Sequence, residues 1–188
     1  MNTNESMRLS EAPAGSFEIR PPVPSDAQAV WRLVEKTPDL DSNSPYAYLL
    51  LCSHFGSTGL VARAGGELAG FVLGYARPDD ASTAFVWQVA VAEAARGRGL
   101  ARRLLDDWFA RCVRRSGVRF LEATVTPSNQ ASRALFTSFA RKRGASLREH
   151  VEFPRLLFPD DVQHQDEIAL RIGPVLPSQA VRPPSTTH

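Results

Sequence analysis

Glycine and arginine alternate in residues 96–101, which read RGRGLA. Glycines let several backbone N–H groups turn toward one point, and the start of a helix adds about half a positive charge there. Phosphate groups bind at such a place. The segment has neither the Gly-x-x-x-x-Gly-Lys-Ser/Thr pattern of P-loop sites nor the third glycine of the dinucleotide fingerprint. We therefore predict a phosphate-bearing ligand of another class.

A strand and a helix are predicted on the two sides of this loop. Residues 85–91 (FVWQVAV) are almost all apolar or β-branched, which is typical of a strand buried on both faces. The apolar residues after the loop recur on one helical face, and they are Leu100, Leu104, Leu105, Trp108, Phe109, Cys112 and Val113. A second apolar strand at 120–125 and a helix from about Asn129 to Arg143 follow. Because a helix connects the two strands, we expect them to be parallel.

The remaining predicted elements complete an α/β fold of the α+β type, a mixed sheet of about seven strands with flanking helices. They are, in order, a strand at 17–20, a helix capped by Ser25, a helix with Ser44 as N-cap and Pro45 as its first residue, a hairpin of strands 58–63 and 68–76 around Gly65-Gly66, and strands at 146–151 and 168–172. Residues 17–173 are expected to form one domain. Residues 1–16 are expected to form a disordered tail, and residues 174–188 a proline-rich tail.

Charge and cysteine content limit the classes of partner. The chain has 22 Lys+Arg and 20 Asp+Glu, and a net charge of +2 favours neither nucleic acid nor a membrane as partner. Arginines concentrate at 96–119 and acids at 160–167, which suits a polyanionic cofactor and a cationic acceptor. Cys52 and Cys112 have no disulfide or metal-ligand spacing, and no segment reads as a signal peptide or membrane helix. We therefore expect a cytoplasmic protein without a bound metal.

In this setting residues 96–101 resemble the acetyl-CoA loop of the GNAT N-acetyltransferase superfamily, Gln/Arg-x-x-Gly-x-Gly/Ala. A companion motif of that superfamily, NQASRALF, occupies residues 129–136. The resemblance implies the GNAT fold, in which the strands at 85–91 and 120–125 splay apart and acetyl-CoA lies in the gap. The residues that it implies contact this co-substrate are Val89, Ala90, Val91, Arg96, Gly97, Arg98, Gly99, Leu100, Ala101, Asn129 and Ser132.

A closer resemblance, over about residues 17–174, is to the L-2,4-diaminobutyrate acetyltransferases of ectoine biosynthesis. It rests on DSNSPYAYLLL at 41–51, the strand at 85–91, the loop at 96–101, TPSNQAS at 126–132 and RIGP at 171–174. It implies acetyl transfer to the γ-amine of L-2,4-diaminobutyrate by a homodimer. The residues that it places around this small diamino acid are Asp41, Tyr46, Trp87, Glu149 and His164, with Asp41 and Glu149 also as the candidate catalytic groups.

Each of these site residues has an alternative role that involves no chemistry. Asp41 can cap a turn, as Asn and Ser residues beside it also can. Trp87 and Tyr46 can be packing residues, because large aromatic side chains in strands and helices usually are. Glu149 and His164 can simply face solvent.

Phe136 stands where many GNAT enzymes have a tyrosine that protonates the departing thiolate. A thiolate whose conjugate acid has a pKa of about 8.5 can leave without that acid or take its proton from water. Two other functions stay open: a GNAT enzyme for another amine, such as a protein lysine, a polyamine or an aminoglycoside, and a non-catalytic acyl-CoA-binding module, which Phe136 favours. Glu122, a charged residue in an apolar run, is either a base in the substrate site or points outward from the sheet.

Overall fold

Seven strands and four helices lie within residues 16–176, the part of the chain that this computed structural model describes. These residues form β1 (Glu18–Arg20), α1 (Ala27–Glu35), α2 (Pro45–His54), β2 (Leu60–Ala64), β3 (Glu67–Ala76), β4 (Thr83–Val91), α3 (Leu100–Ser116), β5 (Phe120–Val125), α4 (Gln130–Lys142), β6 (Leu147–Phe153) and β7 (Glu167–Ile172). Within them no helix is long and apolar enough to cross a membrane. The tails predicted at 1–16 and 174–188 lie outside the described residues, except for Ser16 and residues 174–176.

The seven strands form one mixed sheet in the order β1-β2-β3-β4-β5-β7-β6. All neighbouring strands are antiparallel except β4 and β5, which are parallel. Their pairing begins at Thr83 with Phe120 and ends at Val86 with Ala123. Beyond that point the two strands separate, so β4 has no β5 partner from residue 87 to residue 91. The predicted mixed sheet and splayed parallel pair are confirmed.

A β-bulge lies in β4 where the two strands separate. The register between β3 and β4 shifts after Leu73, so Trp87 is an extra residue between Val86 and Gln88. A bulge bends its strand and increases the local twist. The facing position is Gly74, where a Cβ would collide with a carbonyl oxygen of β4. The bulge therefore accounts for the bend of β4 away from β5.

Helices pack on both faces of the sheet and leave part of one face open. On one face, α3 and α4 bury Leu104, Trp108 and Phe139 against the strands. On the other face, α1 and α2 bury apolar side chains against β2, β3 and β4. On the part of this second face that α1 and α2 do not cover, Glu122 of β5 and Glu167 of β7 line an open groove.

The starts of α2 and α4 lie where the sequence predicts them. The Ser44 side chain accepts a hydrogen bond from the N–H of Ala47 and caps α2, whose first residue is Pro45. The Asn129 side chain caps α4 in the same way. Gly117 ends α3 in the left-handed conformation, with φ of 65°.

Two predictions made from the sequence differ from the structure. The prediction that Ser25 caps the first helix is wrong, because Ser25 lies inside a short 3-10 turn and α1 begins at Ala27. Val175 falls in the predicted tail, yet its side chain is buried in the core and its N–H donates to the carbonyl of Arg119 at 2.7 Å. The domain therefore extends beyond residue 173.

A buried carboxylate ties β1, β2 and the start of α1 together. The two oxygens of Asp26 accept hydrogen bonds from Arg20 at 2.7 and 2.9 Å, from Arg63 at 2.7 Å and from the N–H of Val23 at 2.8 Å. Burial alone would raise the pKa of Asp26, but these hydrogen bonds outweigh burial and lower the pKa to about 2.

Asp26→Asn is expected to remove about 2 kcal/mol from the free energy of unfolding at pH 7. Because the pKa of Asp26 is lower in the folded state, its contribution is complete above pH 4 and is lost as the pH falls toward 2. Urea unfolding between pH 7 and pH 3 measures this. Glu18→Gln is the control, because Glu18 is an exposed partner of Arg20 at 3.9 Å and should change stability by less than about 0.5 kcal/mol. A difference between wild type and Asp26→Asn that stays constant over this pH range would contradict the account.

Candidate active site

A continuous channel runs through the gap between β4 and β5. It consists of adjoining cavities that share lining residues. Its middle lies where the strands separate and is lined by Asp39, Leu40, Val89, Asn129 and Ser132. One end lies at the loop 96–101, and the other end lies at a cluster of acidic residues.

The loop end of the channel has the features of a phosphate site. Gly99 is the N-cap of α3 and has a φ of 73°, a left-handed conformation that residues with a Cβ seldom adopt. This turn brings the N-terminus of α3 beside the cavity, where the helix dipole favours an anion. Arg96 and Arg102 line the same cavity and add positive charge. An elongated ligand with a phosphate at one end fits this part of the channel.

Nearly all of the residues that the sequence analysis assigned to a cofactor line this channel. They are Val89, Ala90, Val91, Arg96, Gly97, Gly99, Leu100, Ala101, Asn129 and Ser132. Arg98 is the exception, since its guanidinium lies over the ring of Phe17 at 4.3 Å from the ring centroid.

The loop that follows α1 is held across the middle of the channel by two amide side chains. Asn129 donates to the carbonyl of Asp39 at 3.1 Å, and its oxygen accepts from the N–H of Ser132 at 2.9 Å. Gln88 donates to the carbonyl of Asp41 at 2.8 Å and accepts from the hydroxyl of Tyr48 at 3.1 Å. These bonds position the Asp41 side chain at the far end of the channel.

At that far end Asp41, His164 and Glu167 form what we call the acid pocket. The Nε2 atom of His164 lies 3.0 Å from Oδ2 of Asp41 and 3.6 Å from Oε1 of Glu167. The other ring nitrogen, Nδ1, donates to the carbonyl of Gln165 at 2.6 Å. The imidazole also stacks on Phe158, with ring centroids 3.8 Å apart. These contacts fix the ring with Nε2 directed at both carboxylates.

The electrostatics of the acid pocket favour a cation. Burial alone would lower the pKa of His164, but its bonds to Gln165 and Asp41 and the charge of Glu167 outweigh burial and raise it. Burial raises the pKa of Glu167 more than a hydrogen bond from Thr124 and the nearby His164 lower it. Ligand atoms of the three pocket residues lie within 4.8 Å of one another. The pocket can therefore hold a cation, and from an ammonium ion it can also accept a proton.

The family of the chain follows from comparison with known proteins. A model of the acetyltransferase (GNAT) family matches residues 27–140, which include the strands that separate, the loop 96–101 and most of α4. The chain belongs to the GNAT acetyltransferase family.

Individual relatives of this GNAT domain share one name. An L-2,4-diaminobutyric acid acetyltransferase of Streptomyces coelicolor is 46% identical over 165 residues, which cover 87% of this chain and 96% of the relative. An enzyme of the same name from Halalkalibacterium halodurans is 42% identical, and the match covers 86% of this chain and 84% of that relative. Among solved structures, diaminobutyrate acetyltransferase EctA from Paenibacillus lautus, in complex with L-2,4-diaminobutyric acid and coenzyme A, superposes with a TM-score of 0.81 at 39% identity, covering 86% of this chain and 96% of that one.

The GNAT domain brings three of the five predicted substrate residues together and leaves two apart. Asp41, Trp87 and His164 line the acid pocket. Tyr46 is 66% exposed on α2, and Tyr48 packs against Trp87 instead, with ring centroids 5.6 Å apart.

Glu149 lies on the opposite face of the sheet from the acid pocket. It is paired in register with Leu170 of β7, which is buried beneath α3 and α4. Its carboxylate accepts a hydrogen bond from Arg133 of α4 at 2.6 Å. Side chains of adjacent residues in a strand alternate between faces, so Glu149 does not reach Asp41 in this chain.

Glu167 and Thr124 face the acid pocket from β7 and β5 and were not predicted from the sequence. The available signal was the position of Glu167 three residues after His164, at the start of a predicted strand. Phe136 lines the middle of the channel one helical turn after Ser132. Glu122 is buried and paired with Arg77 and Arg171, so it does not point outward into solvent.

Proposed function

We propose that this GNAT protein transfers the acetyl group of acetyl-CoA to the γ-amine of L-2,4-diaminobutyrate and so makes N4-acetyl-L-2,4-diaminobutyrate for ectoine biosynthesis. The observation that carries the proposal is the continuous channel between a phosphate-binding loop and an acid pocket. A substrate with two ammonium groups suits that pocket, and relatives over most of the chain carry the name of this activity.

Acetyl-CoA is proposed to occupy the loop end and the middle of the channel. Its pyrophosphate meets the N-terminus of α3, and its pantetheine arm follows the β4 backbone where β5 has turned away. Backbone N–H groups near Val89 and Val91 then polarise the thioester carbonyl. The thioester carbon faces the acid pocket across Trp87.

The acceptor is proposed to bind by its ammonium groups in the acid pocket. Amine nitrogen attacks only after losing a proton, and Asp41, which faces Nε2 of His164 at 3.0 Å, is placed to accept it. The nitrogen then bonds to the acetyl carbon, the C–S bond breaks, and the thiolate takes a proton from water. Phe136 supplies no hydroxyl for that last step. Glu167 holds the second ammonium.

The purified chain is expected to release thiol from acetyl-CoA only when L-2,4-diaminobutyrate is present, and to give the γ-acetyl product by NMR. Thiol release with a lysine peptide, spermidine or an aminoglycoside but not with diaminobutyrate would show that the acceptor is a different amine, while acetyl transfer from acetyl-CoA would still be the reaction. Binding of CoA by calorimetry without transfer to any of these amines would favour the non-catalytic acyl-CoA-binding module.

Gly99→Val is expected to weaken CoA binding at least tenfold, because the side chain strains the loop and projects toward the pyrophosphate site. Gly117→Val is the matched control, since Gly117 ends the same helix with a similar φ of 65° but lies at the end far from the channel. Both variants should lower Tm by similar amounts, and calorimetry gives the Kd for CoA. Equal Kd values in the two variants would place the cofactor elsewhere.

Glu167→Gln is expected to lower kcat/KM for diaminobutyrate about ten- to a hundredfold, the effect of losing one charge-assisted hydrogen bond of ~1.5–3 kcal/mol. Glu149→Gln is the matched control and should change it by less than about twofold, because Glu149 lies on the other face of the sheet. The Kd for CoA should stay unchanged in both. A fall in kcat/KM with Glu149→Gln but not with Glu167→Gln would contradict this account and support Glu149 as the site residue, as the sequence implied.

The proposal also includes a cytoplasmic homodimer. Two buried cysteines without a disulfide favour a reducing compartment. The edge strand β6 and the turn after it expose Val151, Phe153, Leu156 and Leu157, with Leu156 80% exposed. Apolar side chains along a sheet edge are typical of a surface that a second copy covers, and sedimentation of the purified chain measures whether one does.

A further inference from the structure

An open groove extends from the acid pocket along the face of the sheet that α1 and α2 leave uncovered. It measures about 800 Å³ and shares Asp41, Trp87, Thr124, His164 and Glu167 with the acid pocket. Aromatic side chains and the guanidinium of Arg77 line the part that lies beyond the pocket. The groove therefore brings a fixed cation next to a cluster of carboxylates.

The acceptor of the proposed function, on which this inference rests, carries a carboxylate as well as two ammonium groups. Among the described residues that line the acid pocket and the groove, the basic side chains are His164 and Arg77. His164 already faces Asp41 and Glu167 at 3.0 and 3.6 Å. Arg77 is therefore the cation that the groove offers to a carboxylate.

Arg77 is held in place from one side by a buried acid. One of its Nη atoms contacts Glu122, which is 3% exposed. Glu122 also accepts from Arg171 at 2.9 Å, and Arg171 binds Asp80 at 2.9 Å. A buried carboxylate between two guanidinium groups fixes both of them.

On its other side Arg77 holds a carboxylate that can be exchanged. Its Nε and Nη2 atoms donate to the two oxygens of Asp79 at 3.0 and 2.7 Å, and the Asp79 side chain is 64% exposed. This is the bidentate geometry in which arginine binds carboxylates. An exposed carboxylate two residues away in the chain is a weak competitor, so a substrate carboxylate can take its place on the same pair of N–H groups.

The spacing between Arg77 and the acid pocket suits an α-amino acid. Glu122, which binds Arg77, and Thr124, which binds Glu167, lie two residues apart on one face of β5, a distance of about 7 Å. The ammonium and carboxylate of an α-amino acid are about 3 Å apart, and a hydrogen bond of about 2.8 Å at each end extends the span to about 9 Å. The span of one amino-acid head group is thus comparable with the spacing of the two β5 residues that hold the anchors.

We propose that Arg77 binds the α-carboxylate of the acceptor in place of Asp79 while Glu167 binds the α-ammonium, which leaves the γ-amine to point toward the gap between β4 and β5. Arg77 is then the residue that selects a diamino acid over a simple diamine. It also explains how the enzyme distinguishes the two amines, since only the γ-amine is free of an anchor.

The test compares L-2,4-diaminobutyrate with 1,3-diaminopropane, the same molecule without its carboxylate. Arg77→Gln is expected to lower kcat/KM for diaminobutyrate ten- to a hundredfold and to leave that for diaminopropane within about twofold. Arg171→Gln is the matched control, because it removes the other guanidinium from Glu122 but does not line the groove. It should lower Tm as Arg77→Gln does and leave the ratio of the two kcat/KM values unchanged. Asp79→Asn should lower KM for diaminobutyrate, because it removes the competing carboxylate.

A wild-type enzyme with equal kcat/KM for the two acceptors would overturn the inference, and so would an Arg77→Gln variant that loses both activities equally or that matches Arg171→Gln. A wild-type enzyme that acetylates neither compound would overturn the proposed function instead. The γ-acetyl fraction of the product gives an independent measure. It should fall in Arg77→Gln as the α-amine gains access to the thioester, and it should stay complete in Arg171→Gln.

Discussion

The rest of the site depends on one constraint: the backbone hydrogen bonding between β4 and β5 stops before β4 ends. Two parallel strands in a sheet normally satisfy each other's backbone groups along their whole length. Here pairing stops at Val86, where the bulge at Trp87 bends β4. The N–H and C=O groups beyond it are left for a ligand that can run beside a strand. Gly74 permits this bend, because a larger residue would collide with β4.

Other parts of the fold place charged and polar groups at the two ends of that gap. The helix after β4 must start beside it, so the N-terminus of α3 and its dipole lie at one end. The strand after the long loop, β7, places Glu167 at the other end next to His164. The loop between α1 and α2 closes over the middle through the side chains of Asn129 and Gln88. A basic loop and the acid pocket are thereby placed at opposite ends of one channel.

Features with a local cause could be predicted from the sequence. The apolar run at 85–91, the loop at 96–101, the cap Ser44 and the start of α4 near Asn129 depend on residues close in the chain, and each is found where it was predicted. The prediction that Ser25 caps the first helix was wrong because the start of that helix is set by Asp26. Asp26 pairs with Arg20 of β1, which lies before the helix, and with Arg63 of β2, which is distant in sequence. Tertiary contacts of this kind leave no local pattern.

The acid pocket depends on such distant contacts, so it could be predicted only in part. Whether Glu149 or Glu167 faces Asp41 is decided by the register of β6 on β7, and a strand pattern alone does not give its register. Likewise, Tyr46 and Tyr48 are two residues apart on α2, and packing against Trp87 decides which of them is buried. The link from Arg77 to Glu122 joins residues that are 45 positions apart.

The central claim is that a ligand completes the edge of β4 that β5 leaves unpaired. Residue-resolved amide hydrogen exchange, with and without CoA, tests it most directly. The account predicts that CoA slows exchange at the amides within residues 87–91 that point away from β3, whereas the amides of residues 83–86, where the ladder is already closed, keep their rates. Binding of CoA, verified by calorimetry, with no change in exchange at residues 87–91 would contradict the account.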